Sequence, residues 1–136
     1  MRTIGTISAT IEHIEANLGD ELRLKTVADE IGYSHYYLHR MFTICTGLTM
    51  HDYILRRRLT EAAKLLVMTQ QPIVEIALLS GFKSQQAFTS AFKSMYKRTP
   101  LRFRLDGVFY PLQMRIEFDD AMFSENAGLG DEQPSI

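Results

Sequence analysis

The chain has 136 residues, 46% of them hydrophobic, a single cysteine and a formal net charge of −1. That length allows one compact core or two very small ones, the lone Cys45 excludes an internal disulfide and a thiolate metal site, and no run approaches the ~18 apolar residues of a membrane span. The charge is segregated: residues 1–104 hold 14 Lys and Arg against 9 Asp and Glu, whereas 105–136 hold only Arg115 against 7 acids.

Ile4, Ile7, Ile11, Ile14 and Leu18 recur at three and four, which predicts a helix ending near Gly19. Leu24, Val27, Ala28 and Ile31 predict a second, shorter helix stopped by Gly32, with Arg23 standing where a capping oxygen would help. Ser34 can cap a third helix that turns Leu38, Met41, Phe42 and Cys45 inward and closes at Gly47. Thr49 with Asp52 resembles a capping box that opens a long helix through about Val67, burying Tyr53, Ile54, Leu59, Ala62, Ala63 and Leu66. Gln70-Gln71-Pro72 breaks the pattern, and Ile73, Ile76, Ala77 and Leu79 form a short helix ended by Gly81. Ser84 caps a helix with Phe88, Ala91, Phe92, Met95 and Tyr96 on its inner side, and Thr99-Pro100 starts a final turn that includes Phe103. LQMRIEF then alternates like a strand too short to be stable alone, and residues 126–136 read as disordered.

The fold class expected is therefore all-α. Seven helices form two helix-turn-helix subdomains, at 4–48 and 68–104, joined by a connecting helix over 49–67; an irregular acidic tail, 105–136, is a possible truncated remnant of a larger domain.

A repeat of about fifty residues underlies this division. ADEIGYSHYYLHRMF answers ALLSGFKSQQAFTSAF: Ala28 and Ala77 each precede a glycine, Gly32 and Gly81, by four residues, and an aromatic, Tyr33 or Phe82, follows to plug the joint. Each copy exposes a polar helix face, His35, Tyr36, His39 and Arg40 in one and Gln85, Gln86, Thr89 and Ser90 in the other. Arginine can grip guanine in a fork and glutamine can pair with adenine in the major groove. Between 33 and 104 there are 11 basic residues to 3 acidic, the density of a phosphate-facing surface, and among them Arg56, Arg57 and Lys93 are possible phosphate contacts. The competing reading of the 56–58 arginine run is an ordinary solvated face.

GYSHYYLHRMF, TGLTMHDYILRRRLTEAAKLL and PIVEIALLSGFKSQQAFTSAFKSMYKRTPLRFR together resemble the AraC/XylS transcription regulators, in the single-domain branch that governs multidrug, superoxide and solvent tolerance. The resemblance covers about residues 5–104. It implies base-facing positions at Tyr36, His39 and Arg40 on the first recognition helix and at Gln85, Gln86, Thr89 and Ser90 on the second. His39 stands where that branch commonly has glutamine and Ser90 where it commonly has arginine. The implied partners are double-stranded DNA, held by a monomer at a site of ~20 base pairs in two successive major grooves, and RNA polymerase. Lys83 and Ser84 complete the expected DNA-binding set.

No Gly-rich phosphate loop, His-Glu zinc motif or nucleophile with a local base supports an enzyme. His35 and His39 have the spacing of a metal pair but no acidic or thiol companion, so neither metal nor cofactor is expected. The start of the chain lacks the order of a secretory signal, which points to the cytoplasm. The expected function is an activator of transcription. The alternative is a protein-interaction module that has lost specific DNA binding and titrates RNA polymerase or a partner regulator.

Overall fold

The computed structural model describes residues 2–118, and the expected disorder at 126–136 lies outside them. Seven helices follow in order: α1 (Arg2–Ala16), α2 (Leu24–Ile31), α3 (His35–Thr46), α4 (Met50–Met68), α5 (Ile73–Leu79), α6 (Gln85–Tyr96) and α7 (Pro100–Asp106). There is no strand among the described residues; the alternating segment at 112–118 bends at 112–113 and has no regular structure after it. The described chain divides into two units at the boundary between Met50 and His51, within α4; the second also includes residues 17–21 and extends to Met114.

In the first unit α1, α2 and α3 pack pairwise. Ile7, Ile11, Ile14, Val27, Ala28, Leu38 and Phe42 are its buried apolar residues. Thr10 is also buried, and its hydroxyl donates to the Thr6 carbonyl at 2.8 Å, so the polar atom is satisfied inside the isoleucine stripe. Met41 and Cys45 are half-buried rather than interior, and burial pushes the Cys45 thiol up from its ordinary value, which leaves it mostly protonated.

The second unit is built on an aromatic ladder. Phe92 stacks on Tyr96 at 4.7 Å between ring centres and meets Phe88 and Phe103 at 5.6 and 5.4 Å. Leu59, Ala62, Ala63 and Leu66 of α4 and Ile76 and Ala77 of α5 complete that core. Leu79 does not join it: its side chain is 57% exposed. The inward stripe of α5 runs from the half-buried Ile73 through Ile76 and Ala77 onto Ser80, which is buried although polar.

The first helix stops at Ala16, short of the Gly19 expected from its stripe, and Leu18 leaves the helix. The reason lies forty residues on: the Arg58 Nε donates to the Leu18 carbonyl at 2.7 Å and its Nη2 to the Asp20 carbonyl at 2.5 Å. Gly19 lies so close to α5 that an added Cβ would fall 2.5 Å from the Leu79 carbonyl oxygen. Gly19→Ala should therefore cost about 1–3 kcal/mol through forced backbone displacement; a denaturant midpoint equal to that of the parent would contradict this close approach.

Candidate nucleic-acid interface

The two joints expected from the repeat share one backbone hydrogen bond across the glycine, although Gly32 N–H donates to Ala28 and Gly81 N–H to Leu78. Tyr33 N–H donates to the Ala28 carbonyl at 3.0 Å, and Phe82 N–H donates to the Ala77 carbonyl, also at 3.0 Å. Between donor and acceptor stand Gly32 at φ 94° and Gly81 at φ 89°, in the left-handed region that a side chain disfavours. Both alanines are fully buried. The aromatics differ, however. Phe82 meets Phe88 edge-on at 5.3 Å and packs on the core, whereas Tyr33 is 37% exposed and stacks at 5.2 Å on Tyr37, on the surface. Tyr33 is thus not a plug; its hydroxyl favours a wet edge.

A serine opens the second helix of each pair. Ser34 accepts from Tyr37 N–H at 3.1 Å and Ser84 from Ala87 N–H at 3.0 Å, fixing the first turns of α3 and α6, each 12 residues long. On α3, His35, Tyr36 and Arg40 are exposed, Tyr36 to 71%, and His39 is half-buried. The Arg40 guanidinium lies 5.5 Å from the centre of the Tyr36 ring, a cation–π contact that limits its wandering and leaves its forked donors to solvent. The His35 and His39 rings are 6.4 Å apart. On α6 and just before it, Lys83, Ser84, Gln85, Gln86, Ser90 and Lys93 are exposed and Thr89 is half-buried. No group of three or more His, Cys, Asp or Glu among the described residues is arranged to hold a metal ion.

The three consecutive arginines of α4 have three different environments. Arg57 is 6% exposed; its Nη2 pairs with Glu61 Oε2 at 2.9 Å and its Nη1 donates to the Gln113 carbonyl at 2.9 Å. That corrects the expectation of a phosphate contact at Arg57, because its charge is already neutralised inside the unit. Arg58 is the clamp on Leu18 and Asp20; burial lowers its guanidinium's pKa from the ordinary value, with Asp20 opposing. Arg56 is half-buried, and its Nε donates to the neutral Gln113 Oε1 at 3.0 Å, so its charge is not cancelled there. The sequence carried no sign of this division, since adjacent helical residues differ only in the direction they point.

Gln113 belongs to a strap that sequence reading assigned to the loose tail. After Gly107 ends α7, the Tyr96 hydroxyl donates to the Tyr110 carbonyl at 3.0 Å and accepts from Leu112 N–H at 3.3 Å. Gln113 N–H donates to Thr60 Oγ1 at 3.1 Å, and the Tyr110 ring lies against Phe103 and Tyr96. Burial raises the Tyr96 phenol's pKa, with the Thr60 and Leu112 hydrogen bonds opposing. A further arginine missed in the sequence, Arg104, donates from Nε to the Leu66 carbonyl at 2.8 Å and from Nη2 to the Gln71 carbonyl at 2.7 Å, capping the C-terminal end of α4.

A family model described as a helix-turn-helix domain matches residues 27–106. Regulatory protein SoxS of Escherichia coli is 41% identical over 98 residues, 72% of this chain and 92% of its own. A crystal structure from Chromobacterium violaceum, described as a transcriptional regulator among AraC-type DNA-binding domain-containing proteins, superposes with a TM-score of 0.72 at 30% identity, covering 76% of this chain and 93% of that one. The chain belongs to the AraC/XylS family. Within it, the Transposon Tn10 TetD protein of Escherichia coli is 47% identical over 91 residues, 67% of this chain and 66% of its own. The match to the right origin-binding protein of Escherichia coli is 41% over 104 residues, 76% of this chain but only 36% of that longer AraC/XylS relative. No helix among the described residues is long and apolar enough to cross a membrane.

Proposed function

We propose that this chain is a sequence-specific DNA-binding regulator of transcription, acting in the cytoplasm, that inserts α3 and α6 into successive major grooves of one duplex. The observation that carries this reading is the repeated joint: two serine-capped helices of equal length follow the same glycine turn and expose arginine, histidine or glutamine to solvent. His35, Tyr36, His39 and Arg40 would read one groove, and Lys83, Ser84, Gln85, Gln86, Thr89 and Ser90 the other, by fork and amide contacts to base edges. Arg56 and Lys93 would meet phosphates. Family membership supports transcription control over catalysis, and the resemblance adds binding as a monomer, activation and contact with RNA polymerase to the proposal.

The test is binding to duplexes selected from a random library, measured against unselected DNA over a salt series. A regulator should prefer its selected site, of ~20 base pairs, at least ~10³-fold, with affinity falling steeply as salt rises. Equal affinity for selected and unselected DNA would defeat the reading. On the selected site, Arg40→Ala should cost about 1–3 kcal/mol and relax discrimination at one base pair; an equal loss on unselected DNA would reassign Arg40 to a phosphate.

A further inference from the structure

A cleft of about 490 Å³ opens in the second unit between α4, α6 and the strap, lined by Leu55, Arg56, Leu59, Ser94, Lys97 and Leu112 among others. Among the described residues the Arg56 side chain donates from Nε to Gln113 Oε1, a neutral acceptor. Lys97, which shares the cleft, terminates α6 at φ 63°, the one non-glycine residue of positive φ among the described residues. A lysine held in that conformation carries backbone strain that glycine would not.

The register of α6 links this cleft to the proposed reading face. At 100° per residue, Gln86, Ser90, Lys93 and Lys97 fall along one side of the helix, with Ser94 beside them and the buried Phe88, Phe92 and Tyr96 opposite. Asp52 also lines the cleft, so Arg56, Lys97 and Asp52 together leave one net positive charge. One positive charge complements a phosphodiester monoanion better than a phosphate dianion.

We propose that this cleft seats a backbone phosphate of duplex DNA, held by Arg56 and Lys97, with Gln113 as the positioning residue that orients the Arg56 fork. The inference rests on the DNA-binding reading and deepens it, giving the Arg56 phosphate contact a cleft, a second cation in Lys97 and a positioning residue in Gln113. The strap thereby becomes part of the binding unit, because it supplies the neutral acceptor that fixes Arg56 without cancelling its charge.

The test uses the full chain with a selected duplex and an unselected one. Arg56→Ala and Lys97→Gly should each weaken binding to both duplexes by the same factor and reduce the slope of log affinity against log salt by about 0.9, one phosphate's worth. Lys97→Gly removes the charge while easing the backbone, so it keeps the test valid if Arg56→Ala folds poorly. Gln113→Glu keeps the acceptor's shape but neutralises Arg56, and should reproduce the reduced slope; Gln113→Ala should weaken binding with the slope unchanged. Parental affinity and slope in Arg56→Ala and Lys97→Gly would overturn the site, as would a loss confined to the selected duplex. A parental slope in Gln113→Glu would overturn the positioning role. If the parent protein does not prefer its selected duplex, the regulator reading falls, while the slopes on unselected DNA still decide the phosphate site.

Discussion

Phe92→Ala is expected to lower the stability of the second unit by about 3–5 kcal/mol, the cost of deleting a large buried ring whose surroundings cannot collapse. Phe92 is fully buried and touches three other aromatic rings, on α6 itself and on α7. The ring loss removes both the transferred area and the favourable edge and stacking geometry, each aromatic pair adding about 0.5–1.5 kcal/mol. Because a helix of 12 residues is marginal without tertiary packing, α6 should lose its order along with the core, and selected-site binding should fall with it. Chemical denaturation followed by circular dichroism measures the first effect, and a salt series on the selected duplex the second. A stability loss under about 1 kcal/mol would mean that the ladder is not the packing centre of this unit.

Arg58→Ala should cost about 2–4 kcal/mol: hydrogen bonds from a charged group contribute about 1.5–3 kcal/mol each, two are lost together, and the one to Asp20, being exposed, counts for less. The guanidinium also packs at Gly81: a Cβ built on that glycine would lie 2.9 Å from Arg58 Cζ. Arg58→Lys should fail to restore stability, because a single ammonium cannot reach two carbonyls in the fixed fork of a guanidinium. Denaturant midpoints of the two variants, compared with limited proteolysis across residues 17–21, distinguish this clamp from an ordinary surface arginine. Full rescue by lysine would show that charge alone, not the fork, is what the loop requires.

The helices were legible because their signals are local. Ser34, Ser84 and Thr99 accept hydrogen bonds from Tyr37, Ala87 and Arg102 as their positions promised, and the α4 stripe from Tyr53 to Leu66 is buried as its spacing required. The proposed reading faces were legible for the same reason: once Phe88 and Phe92 are placed inside, Gln86 and Ser90 have only one side left. Tyr33 misled because hydrophobicity by itself ranks a tyrosine with a phenylalanine, and it gives no sign that a serine rather than Leu79 continues the α5 stripe. Geometry instead placed Ser80 on the stripe and left Tyr33 partly exposed, its hydroxyl accepting from Thr6 Oγ1 at 3.5 Å.

From its sequence alone this chain declared seven helical elements, a duplicated glycine joint and two polar faces, carried by periodicity and caps within a few residues, and it resembled its family through longer motif stretches. Only the tertiary structure decided which of Arg56, Arg57 and Arg58 is a clamp, which is neutralised and which keeps a charge to offer. Their partners are 38 to 57 residues away along the chain, apart from Glu61, and a guanidinium's role is set by the acceptors that reach it. The strap was hidden for the same reason. Its anchors, Tyr96 and Thr60, are ordinary core positions until backbone groups from residues 110–113 arrive to use their hydroxyls.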